Sequence, residues 1–194
     1  MSPCRLHVLG RKEELDPERI RRSVVVVLDV LFATSTITTL LAHGARAVIP
    51  ALGESEALQL AERHPDAILA GEREADPIPS FEAPTPLELL KCGVAGREII
   101  YATTNGTVAA RRAAGARAVY AGCLLNGPAV ARRLLEHHRA ETVLLVCAGS
   151  AGRFNLEDFY GAGYLVSLLW EGPWCPTDAA VAAAGLFHNP ALTP

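Results

Sequence analysis

A continuous apolar run near the N-terminus constrains the fold of this chain more than any other feature. Residues 23–29 read Ser-Val-Val-Val-Val-Leu-Asp, with no polar residue between Ser23 and Asp29. A strand that is apolar on both faces is typical of a parallel sheet covered by helices on each side. The run therefore predicts a central strand of an α/β protein.

Shorter apolar runs alternate with helical patterns along the rest of the chain. Further strands are predicted at residues 47–51, 67–70, 98–102, 117–121 and 142–148. Helices are predicted at residues 34–43, 54–64, 86–92, 106–114, 129–138 and 156–170. Because strands and helices alternate, we expect an α/β fold, a three-layer α/β/α sandwich around a mostly parallel or mixed sheet. No repeat or linker divides the sequence, so a single domain over residues 1–194 is expected.

The composition excludes two broad classes of protein. Half of the residues are apolar, and 18 basic and 21 acidic side chains give a net charge of −3. A disordered chain would be less apolar. A dedicated nucleic-acid-binding protein would carry a basic excess to neutralise phosphates. We therefore expect a globular protein with no nucleic-acid partner.

The distribution of apolar residues and cysteines indicates the cellular compartment of the protein. No apolar run approaches the ~20 residues of a membrane helix, and the N-terminus has no apolar segment typical of a signal peptide. The cysteines are widely spaced with no CxxC pair, which favours reduced, buried thiols over a disulfide framework or a zinc site. They are Cys4, Cys92, Cys123, Cys147 and Cys175. We expect a cytoplasmic protein with no membrane segment.

Polar residues follow the predicted strands at the edge where open α/β sheets place their chemistry. Asp29 comes after five apolar residues, and a carboxylate there needs a metal ion, a cation or several backbone N–H groups to compensate it. The simpler alternative is a cap for the next helix. Glu72 and Arg73 follow the strand at residues 67–70, where Arg73 could hold a phosphate or carboxylate or could belong to a solvated turn.

The segment Thr103-Thr-Asn-Gly-Thr107 joins a strand to a helix. Ordinary capping needs one of these residues, and the segment supplies five. Free N–H groups at a helix start, together with the helix dipole, favour anions. We therefore expect Thr104, Asn105, Gly106 and Thr107 to bind the anionic part of a substrate through outward-pointing amides.

Glu157 and Asp158 lie in the first turn of the helix at residues 156–170. Acidic residues are common there because of the helix dipole alone. Together with Asp29 they could instead supply oxygen ligands to Mg²⁺. A phosphate dianion would be repelled by these three carboxylates unless a divalent cation lay between them.

Four segments resemble the 2-phosphosulfolactate phosphatase family, and the resemblance covers roughly residues 5–172. They are residues 26–37 (Val-Val-Leu-Asp-Val-Leu-Phe-Ala-Thr-Ser-Thr-Ile), Gly71-Glu-Arg73, Thr103-Thr-Asn-Gly-Thr107, and Leu156-Glu-Asp158 with Ala162-Gly163. The resemblance implies an α/β/α fold and a Mg²⁺-dependent acid phosphatase. Its reaction would remove phosphate from 2-phospho-3-sulfolactate, a step of coenzyme M biosynthesis.

For such a reaction, Asp29 would be a metal ligand or an attacking carboxylate. Glu72 would carry a proton or support the site through hydrogen bonds. Arg73 and the amides of residues 104–107 would hold the phosphate oxygens.

Parts of the chain depart from the family pattern. The family has arginine after Asp-Val-Leu, where this chain has Phe32. The family's Gly-Phe-Asp and Gly-Asn-Ser-Pro correspond to residues 80–86, Ser-Phe-Glu-Ala-Pro-Thr-Pro, which form a shorter segment without the asparagine. The pattern also continues beyond Pro194. Phe32 removes a phosphate or sulfonate contact and leaves an apolar wall.

Two functions therefore remain open. The first is Mg²⁺-dependent hydrolysis of a small phosphate monoester, with or without a sulfonate. The second is a catalytically weakened relative that binds a phosphorylated or sulfonated metabolite. A nucleotide-binding domain is a weaker third, since neither GxGxxG nor GxxxxGK[ST] occurs. The apolar helix at residues 156–170 also predicts a homodimer that covers its surface.

Overall fold

The computed structural model describes residues 4–191, which form two sheets flanked by helices. The strands are β1 (Arg5–Leu9), β2 (Ser23–Leu28), β3 (Ala47–Ala51), β4 (Ile68–Arg73), β5 (Asp76–Pro77), β6 (Glu98–Ala102), β7 (Ala118–Gly122), β8 (Thr142–Cys147) and β9 (Cys175–Pro176). The helices are α1 (Pro17–Ile20), α2 (Ala33–Ala42), α3 (Glu54–Arg63), α4 (Pro86–Leu90), α5 (Gly106–Arg112), α6 (Gly127–His137), α7 (Leu156–Leu169) and α8 (Asp178–Phe187). A short 3₁₀ turn at Lys12–Glu14 follows β1.

The larger sheet has the strand order β7-β2-β8-β1-β9, and each adjacent pair is parallel. All six residues of β2 are buried, with Val25 paired to Leu144 and Val27 to Val146. A central strand covered on both faces needs apolar side chains at every position. The four-valine run therefore lies where the sequence predicts it.

The smaller sheet has the order β3-β6-β4-β5. β6 pairs in parallel with β3 and β4, and only the short β5 is antiparallel. The parallel strands of each sheet all end at one edge. The turns after β2, β6 and β8 therefore lie at the carboxyl ends of strands, where α/β sheets bind their ligands.

Helices α2 and α5 each follow a strand of one sheet and pack on the other. Ala33 and Leu40 of α2, which follows β2, belong to a core cluster that contains Tyr101 of β6. Ala109 of α5, which follows β6, belongs to the cluster that contains Val25 of β2. This exchange brings the carboxyl ends of β2 and β6 together.

The last two helices pack closely against each other. Seven of the 14 residues of α7 are buried, as the apolar pattern of residues 156–170 predicts. α8 lies against α7 where Gly163 meets the carbonyl of Ala183, and a Cβ atom at Gly163 would overlap that carbonyl. Trp170 and Val181 stay about half exposed. Much of the apolar surface of α7 is therefore covered by the chain itself, and the predicted homodimer stays a prediction.

The α/β/α sandwich is confirmed, and each predicted strand and helix begins and ends within two residues of an observed one, except at the end of β4. The strands divide between two sheets, whereas the sequence analysis expected one. β1, α1, β5, β9 and α8 were not predicted. β1 is missed because its buried Leu6 and Val8 alternate with Arg5 and His7, which gives no continuous apolar run.

The described residues also bear on the membrane and thiol predictions. No helix among residues 4–191 is long and apolar enough to cross a membrane. All five cysteines are free. Cys123 and Cys147 are buried as expected, but Cys175 is exposed and the other two are partly buried. The expectation of a buried position is therefore wrong for Cys175.

Candidate active site

A cavity of about 900 Å³ lies at the carboxyl ends of the strands of the two sheets. Its walls come from the turns after β2, β6 and β8, from the β4–β5 hairpin and from the proline-rich segment before α4. Open α/β sheets bind their ligands at this edge, and the volume is in the range of natural small-molecule sites. The cavity is therefore the candidate active site.

Asp29 follows β2 and lines the cavity with only 9% of its surface exposed. Its carboxylate accepts hydrogen bonds from the N–H of Ala33 (3.4 Å) and from the N–H of Gly106, at the starts of α2 and α5. Burial raises the pKa of Asp29 to about 6, the charge of Glu72 acts in the same direction, and the two amides and Lys12 oppose it. The carboxylate is therefore buried, faces the cavity and titrates near neutral pH.

Gly106 allows the starts of α2 and α5 to approach each other. A Cβ atom at this position would lie 2.6 Å from Oδ2 of Asp29 and would overlap Cβ of Ala33. Only glycine leaves room for both neighbours. The glycine is therefore needed because the Asp29 carboxylate occupies the space beside it.

The amides of the β6–α5 turn are mostly bonded within the chain. Besides the Gly106 amide, the N–H of Thr104 donates to Oε1 of Glu72 (2.6 Å) and the N–H of Thr107 donates to the hydroxyl of Thr103 (3.1 Å). The expectation that these amides point outward to an anion is wrong at these three positions, because carboxylates and a hydroxyl of the chain already accept from them. Thr107 and Gly106 are also buried behind the cavity wall.

Asn105 and Thr104 are the two predicted anion-binding residues that line the cavity. Oδ1 of Asn105 accepts a hydrogen bond from Nζ of Lys12 (2.9 Å). The Nδ2 group has no hydrogen-bond partner within residues 4–191, so it is left to donate to a ligand. The turn therefore presents the side-chain amide of Asn105 to the cavity, while three of its backbone amides are bonded within the chain.

Lys12 was missed by the sequence analysis. Its Nζ also donates to the carbonyl of Ala148 (3.0 Å) and pairs with Glu13 (3.3 Å), while the residue is 5% exposed. Lysine is rarely buried this deeply unless it is paired. The 3₁₀ turn that carries it follows β1, whose Leu9 lies beside Val146 of β8. Recognition of β1 would therefore have placed Lys12 at the edge that carries the site.

Glu72 lines the cavity, and both of its carboxylate oxygens accept hydrogen bonds. Oε1 accepts from the N–H of Thr104, while Oε2 accepts from the hydroxyl of Thr104 (3.0 Å) and from the N–H of Ala75 (2.7 Å). These bonds hold the β4–β5 hairpin against the β6–α5 turn. Of the two predicted roles, the geometry favours support of the site over proton transfer.

Glu157 and Asp158 are neighbours that face different surroundings. Glu157 lines the cavity. Asp158 is 1% exposed and accepts hydrogen bonds from the N–H of Val30 (2.9 Å) and the N–H of Gly149 (3.1 Å), so it ties the turn after β2 to the turn after β8. Burial, with a smaller contribution from the charge of Asp29, raises the pKa of Asp158 to about 7, although the two amide bonds act in the opposite direction. Of the predicted ligands, the structure brings Asp29 and Glu157 to one cavity and places Asp158 behind it.

Arg73 does not line the cavity. Its side chain is 71% exposed and lies 3.5 Å from Glu54 at the start of α3. This exposed position fits the alternative prediction of a solvated turn, and it gives no support to the predicted contact between Arg73 and a phosphate.

The charges of the cavity are of one sign. Five acidic residues line it, and none of its described lining residues is Lys, Arg or His. The acidic residues are Asp29, Glu72, Glu74, Glu88 and Glu157. An anionic ligand therefore needs a cation or hydrogen-bond donors to offset these carboxylates.

One wall of the cavity is apolar. Leu31 and Phe32 line it with 60% and 49% of their surface exposed. Pro84, which precedes α4, also lines it, and its carbonyl accepts hydrogen bonds from the hydroxyls of Tyr101 (2.6 Å) and Thr36 (3.2 Å). Two buried side chains, one from β6 and one from α2, therefore hold Pro84 in place.

The carboxylates of the cavity are the groups that could hold a metal ion. Among residues 4–191, no group of three or more His, Cys, Asp or Glu side chains is arranged to hold a metal ion. Mg²⁺ is commonly bound through one or two carboxylates, with water and phosphate oxygens as the other ligands. Two carboxylates on one cavity, Asp29 and Glu157, fit that requirement.

The chain is similar to a known protein family along nearly its whole length. Residues 10–193 match the family described as 2-phosphosulpholactate phosphatase. A protein of Symbiobacterium thermophilum named "Probable 2-phosphosulfolactate phosphatase" is 46% identical over 179 residues, which is 89% of this chain and 75% of that protein.

Two further relatives carry the same name. One from Carboxydothermus hydrogenoformans is 42% identical over 159 residues, which is 80% of this chain and 65% of that protein. One from Clostridium acetobutylicum is 37% identical over 181 residues, which is 91% of this chain and 76% of that protein. The chain thus spans two thirds to three quarters of the relatives' length.

Proposed function

Because this chain belongs to the 2-phosphosulpholactate phosphatase family, whose named reaction is the hydrolysis of a phosphoric monoester, we propose that it hydrolyses a small phosphate monoester with the help of Mg²⁺. The observation that carries the proposal is the buried Asp29 carboxylate, which lies between the starts of two helices and faces the cavity. Because the relatives are named for 2-phosphosulfolactate, 2-phospho-3-sulfolactate is the first substrate to assay. Its hydrolysis would give 3-sulfolactate and phosphate.

Asp29 and Glu157 are the proposed ligands of Mg²⁺, with Asp158 holding the turns that carry them. When bound, the ion offsets the charge of the phosphate and polarises its oxygens. Asp29 remains either a ligand or the attacking carboxylate, because its buried carboxylate satisfies the needs of both roles. Without a cation, the cavity's carboxylates would repel the phosphate.

The remaining residues orient the ester. Nδ2 of Asn105 is the proposed donor to a phosphate oxygen, since Lys12 holds the other end of that amide. Glu72 keeps Thr104 and the turn around it in position. Such donors stabilise a transition state when they are fixed before the reaction begins.

The test is phosphate release from p-nitrophenyl phosphate and from 2-phospho-3-sulfolactate, with excess Mg²⁺ and with EDTA. We expect the wild type to act only with Mg²⁺ and Asp29→Asn to be inactive. Asp66→Asn, at an exposed position on a loop away from the cavity, is the matched control and should keep full activity. Full activity of Asp29→Asn on either ester would contradict the assignment.

The charge of the cavity also favours a second function. Its described lining has no basic side chain and includes the exposed Phe32. A weakened relative that binds a phosphorylated or sulfonated metabolite would show ligand-dependent stabilisation without phosphate release. A thermal-shift titration run beside the phosphate assay separates the two functions.

The partners and the compartment are further proposals. A homodimer would cover apolar surface that stays exposed at Trp170, which directly follows α7, and at Val181 of α8. Light scattering after size exclusion should give twice the mass of the chain, and a monomer alone would contradict the dimer. A cytoplasmic location stays a prediction that rests on the five free thiols.

A further inference from the structure

The proposed reaction brings several negative charges to an acidic cavity. The ester 2-phospho-3-sulfolactate carries a carboxylate and a sulfonate besides its phosphate, and the ionisable side chains that line the cavity are carboxylates. A metal ion held by Asp29 and Glu157 would offset the phosphate, but the charges of the other two groups would remain. A substrate of this class therefore needs a further cation at the edge of the cavity.

Four basic side chains on the segments around the cavity already have acceptors within the chain. They are Lys12 with Asn105, Ala148 and Glu13, Arg11 with Gly152 and Glu14, Arg73 with Glu54, and Lys91 with Glu88. Lys91 offsets the charge of Glu88, which lines the cavity. Each of the four would have to give up a partner in order to bind a ligand.

Arg153 differs from these residues. It lies in the turn between β8 and α7, it is exposed, and its side chain has no hydrogen bond or ion pair within residues 4–191. Its N–H donates to the carbonyl of Ser150 (2.8 Å), and the N–H of Ser150 donates to its carbonyl (3.0 Å). The Cα atoms of residues paired in this way are about 5.5 Å apart. Because Ser150 lines the cavity, an extended Arg153 side chain can reach into it.

The same turn presents uncharged donors to the cavity. Ser150 and Asn155 both line it, and neither side chain has a hydrogen-bond partner among the described residues. Asn155 directly precedes α7, yet its side chain does not cap that helix. A hydroxyl, an amide and a planar guanidinium group can together donate to the oxygens of a sulfonate or a carboxylate. One turn therefore carries the donors that a second anionic group requires.

We propose that Arg153, with Ser150 and Asn155, binds the anionic group that the substrate carries besides its phosphate, either the sulfonate or the carboxylate. The inference rests on the proposed phosphatase function and names the residues that select its substrate class. The Arg153 side chain turns from solvent over the cavity when the ester binds, and exposed side chains change rotamer fast enough to do so. An ester without a second anionic group gains no such contact.

The test compares three phosphate esters that differ in their other anionic groups. They are 2-phospho-3-sulfolactate, 2-phospholactate, which lacks the sulfonate, and p-nitrophenyl phosphate, which has neither group. In Arg153→Gln, the ratio of kcat/KM for the sulfonated ester to that for p-nitrophenyl phosphate should fall at least about tenfold, as the loss of a hydrogen bond between charged groups predicts. Because the ratio compares esters in one protein, it corrects for any loss of folded enzyme.

The result for 2-phospholactate identifies the group that Arg153 binds. If its kcat/KM falls together with that of the sulfonated ester, the group is the carboxylate. If it follows p-nitrophenyl phosphate instead, the group is the sulfonate. Both results support the proposal.

Arg139→Gln is the matched control. Arg139 is also exposed and has no ion pair within the described residues, but it lies just before β8, at the end of that strand opposite the cavity. An equal change for all three esters in Arg153→Gln, or the same selective loss in Arg139→Gln, overturns the proposal. A wild type that hydrolyses only p-nitrophenyl phosphate also overturns it.

The failure of the phosphatase function is separately visible. If the wild type hydrolyses none of the three esters, the catalytic proposal fails, and calorimetric titration with 3-sulfolactate in the presence of Mg²⁺ then decides the present one. A Kd that rises at least about tenfold in Arg153→Gln and stays constant in Arg139→Gln supports binding at this turn. No binding by the wild type, or the same Kd in Arg153→Gln, overturns it.

Discussion

Nζ of Lys12 lies 2.9 Å from Oδ1 of Asn105, so a cation carried by the N-terminal turn fixes the orientation of an amide in the cavity wall. The same Nζ bonds the carbonyl of Ala148 after β8. One side chain therefore connects the strand ends of both sheets. The orientation of Asn105 matters because only its Nδ2 end is free to donate to a ligand.

Lys12→Met tests this connection. The substitution leaves the Asn105 oxygen and the buried Ala148 carbonyl without their donor, which should lower the free energy of unfolding by about 2 kcal/mol. The KM for a phosphate ester should rise more than kcat falls, because Asn105 can then rotate. Urea denaturation and steady-state kinetics measure the two effects.

Lys91→Met is the control, since Lys91 is the only other lysine and pairs with Glu88 at the surface. Its stability should change by less than about 0.5 kcal/mol. If Lys12→Met were as stable as this control and had an unchanged KM, the hydrogen bonds of Lys12 would contribute neither to stability nor to substrate binding.

Gly106→Ala tests the close approach of α2 and α5. The added Cβ atom must displace the Asp29 carboxylate or Ala33, which should cost about 1–3 kcal/mol of stability as in other overpacked cores. kcat/KM should fall as well, since Asp29 is the group that moves. Gly185→Ala in α8 has no neighbour within 4 Å and should be neutral or stabilising by about 0.5–1 kcal/mol. Equal stabilities for the two variants would refute the packing argument.

The meeting of Asp29 with the Asn105 turn could be predicted from the sequence. Both follow apolar runs that only a buried parallel strand explains, and parallel strands end at one edge. That inference assumed a single sheet; β2 and β6 lie in different sheets, and the exchange of α2 and α5 is what brings their ends together. The prediction needed only the period of the apolar residues and the position of the polar residue that ends each run.

Other features depend on packing that no local pattern encodes. The exchange of α2 and α5 between two sheets decides that the amide of Gly106 meets Asp29 rather than a ligand. The pairing of β4 with β6 decides that the amide of Thr104 meets Glu72. Whether Glu157 or Asp158 faces the cavity depends on how α7 is rotated about its axis. An apolar pattern nearly all round that helix leaves the rotation undetermined.

Glu157→Gln and Asp158→Asn together test that choice. Nδ2 of an asparagine at position 158 cannot accept from the amide of Val30 or Gly149, so Asp158→Asn should lose about 1–3 kcal/mol of stability. Glu157→Gln should keep its stability and lose Mg²⁺-dependent activity. Thermal melts and a Mg²⁺ titration of phosphate release give the two measurements. A stable Asp158→Asn protein with lost Mg²⁺ dependence would make Asp158 the ligand instead.

Asp29 should make stability depend on pH in a direction opposite to that of a salt-bridged carboxylate. Burial holds its folded pKa at about 6, above the ordinary value of 3.8, so the folded chain binds this proton more tightly than the unfolded chain does. The contribution of Asp29 to stability is therefore complete below about pH 4 and is lost as the pH rises through about 6. Because Asp29→Asn has no such proton, its stability relative to the wild type should rise by on the order of 3 kcal/mol between about pH 4 and about pH 7.5.

Urea denaturation of both proteins in EDTA measures this difference at each pH. Added Mg²⁺ should restore the free energy of unfolding of the wild type near neutral pH and leave that of Asp29→Asn unchanged. A ligand of the folded state stabilises only the protein that binds it. A difference between the two proteins that stays constant with pH would mean that Asp29 is already ionised at no cost. The carboxylate would then need no cation beside it, and the reason for placing Mg²⁺ there would be lost.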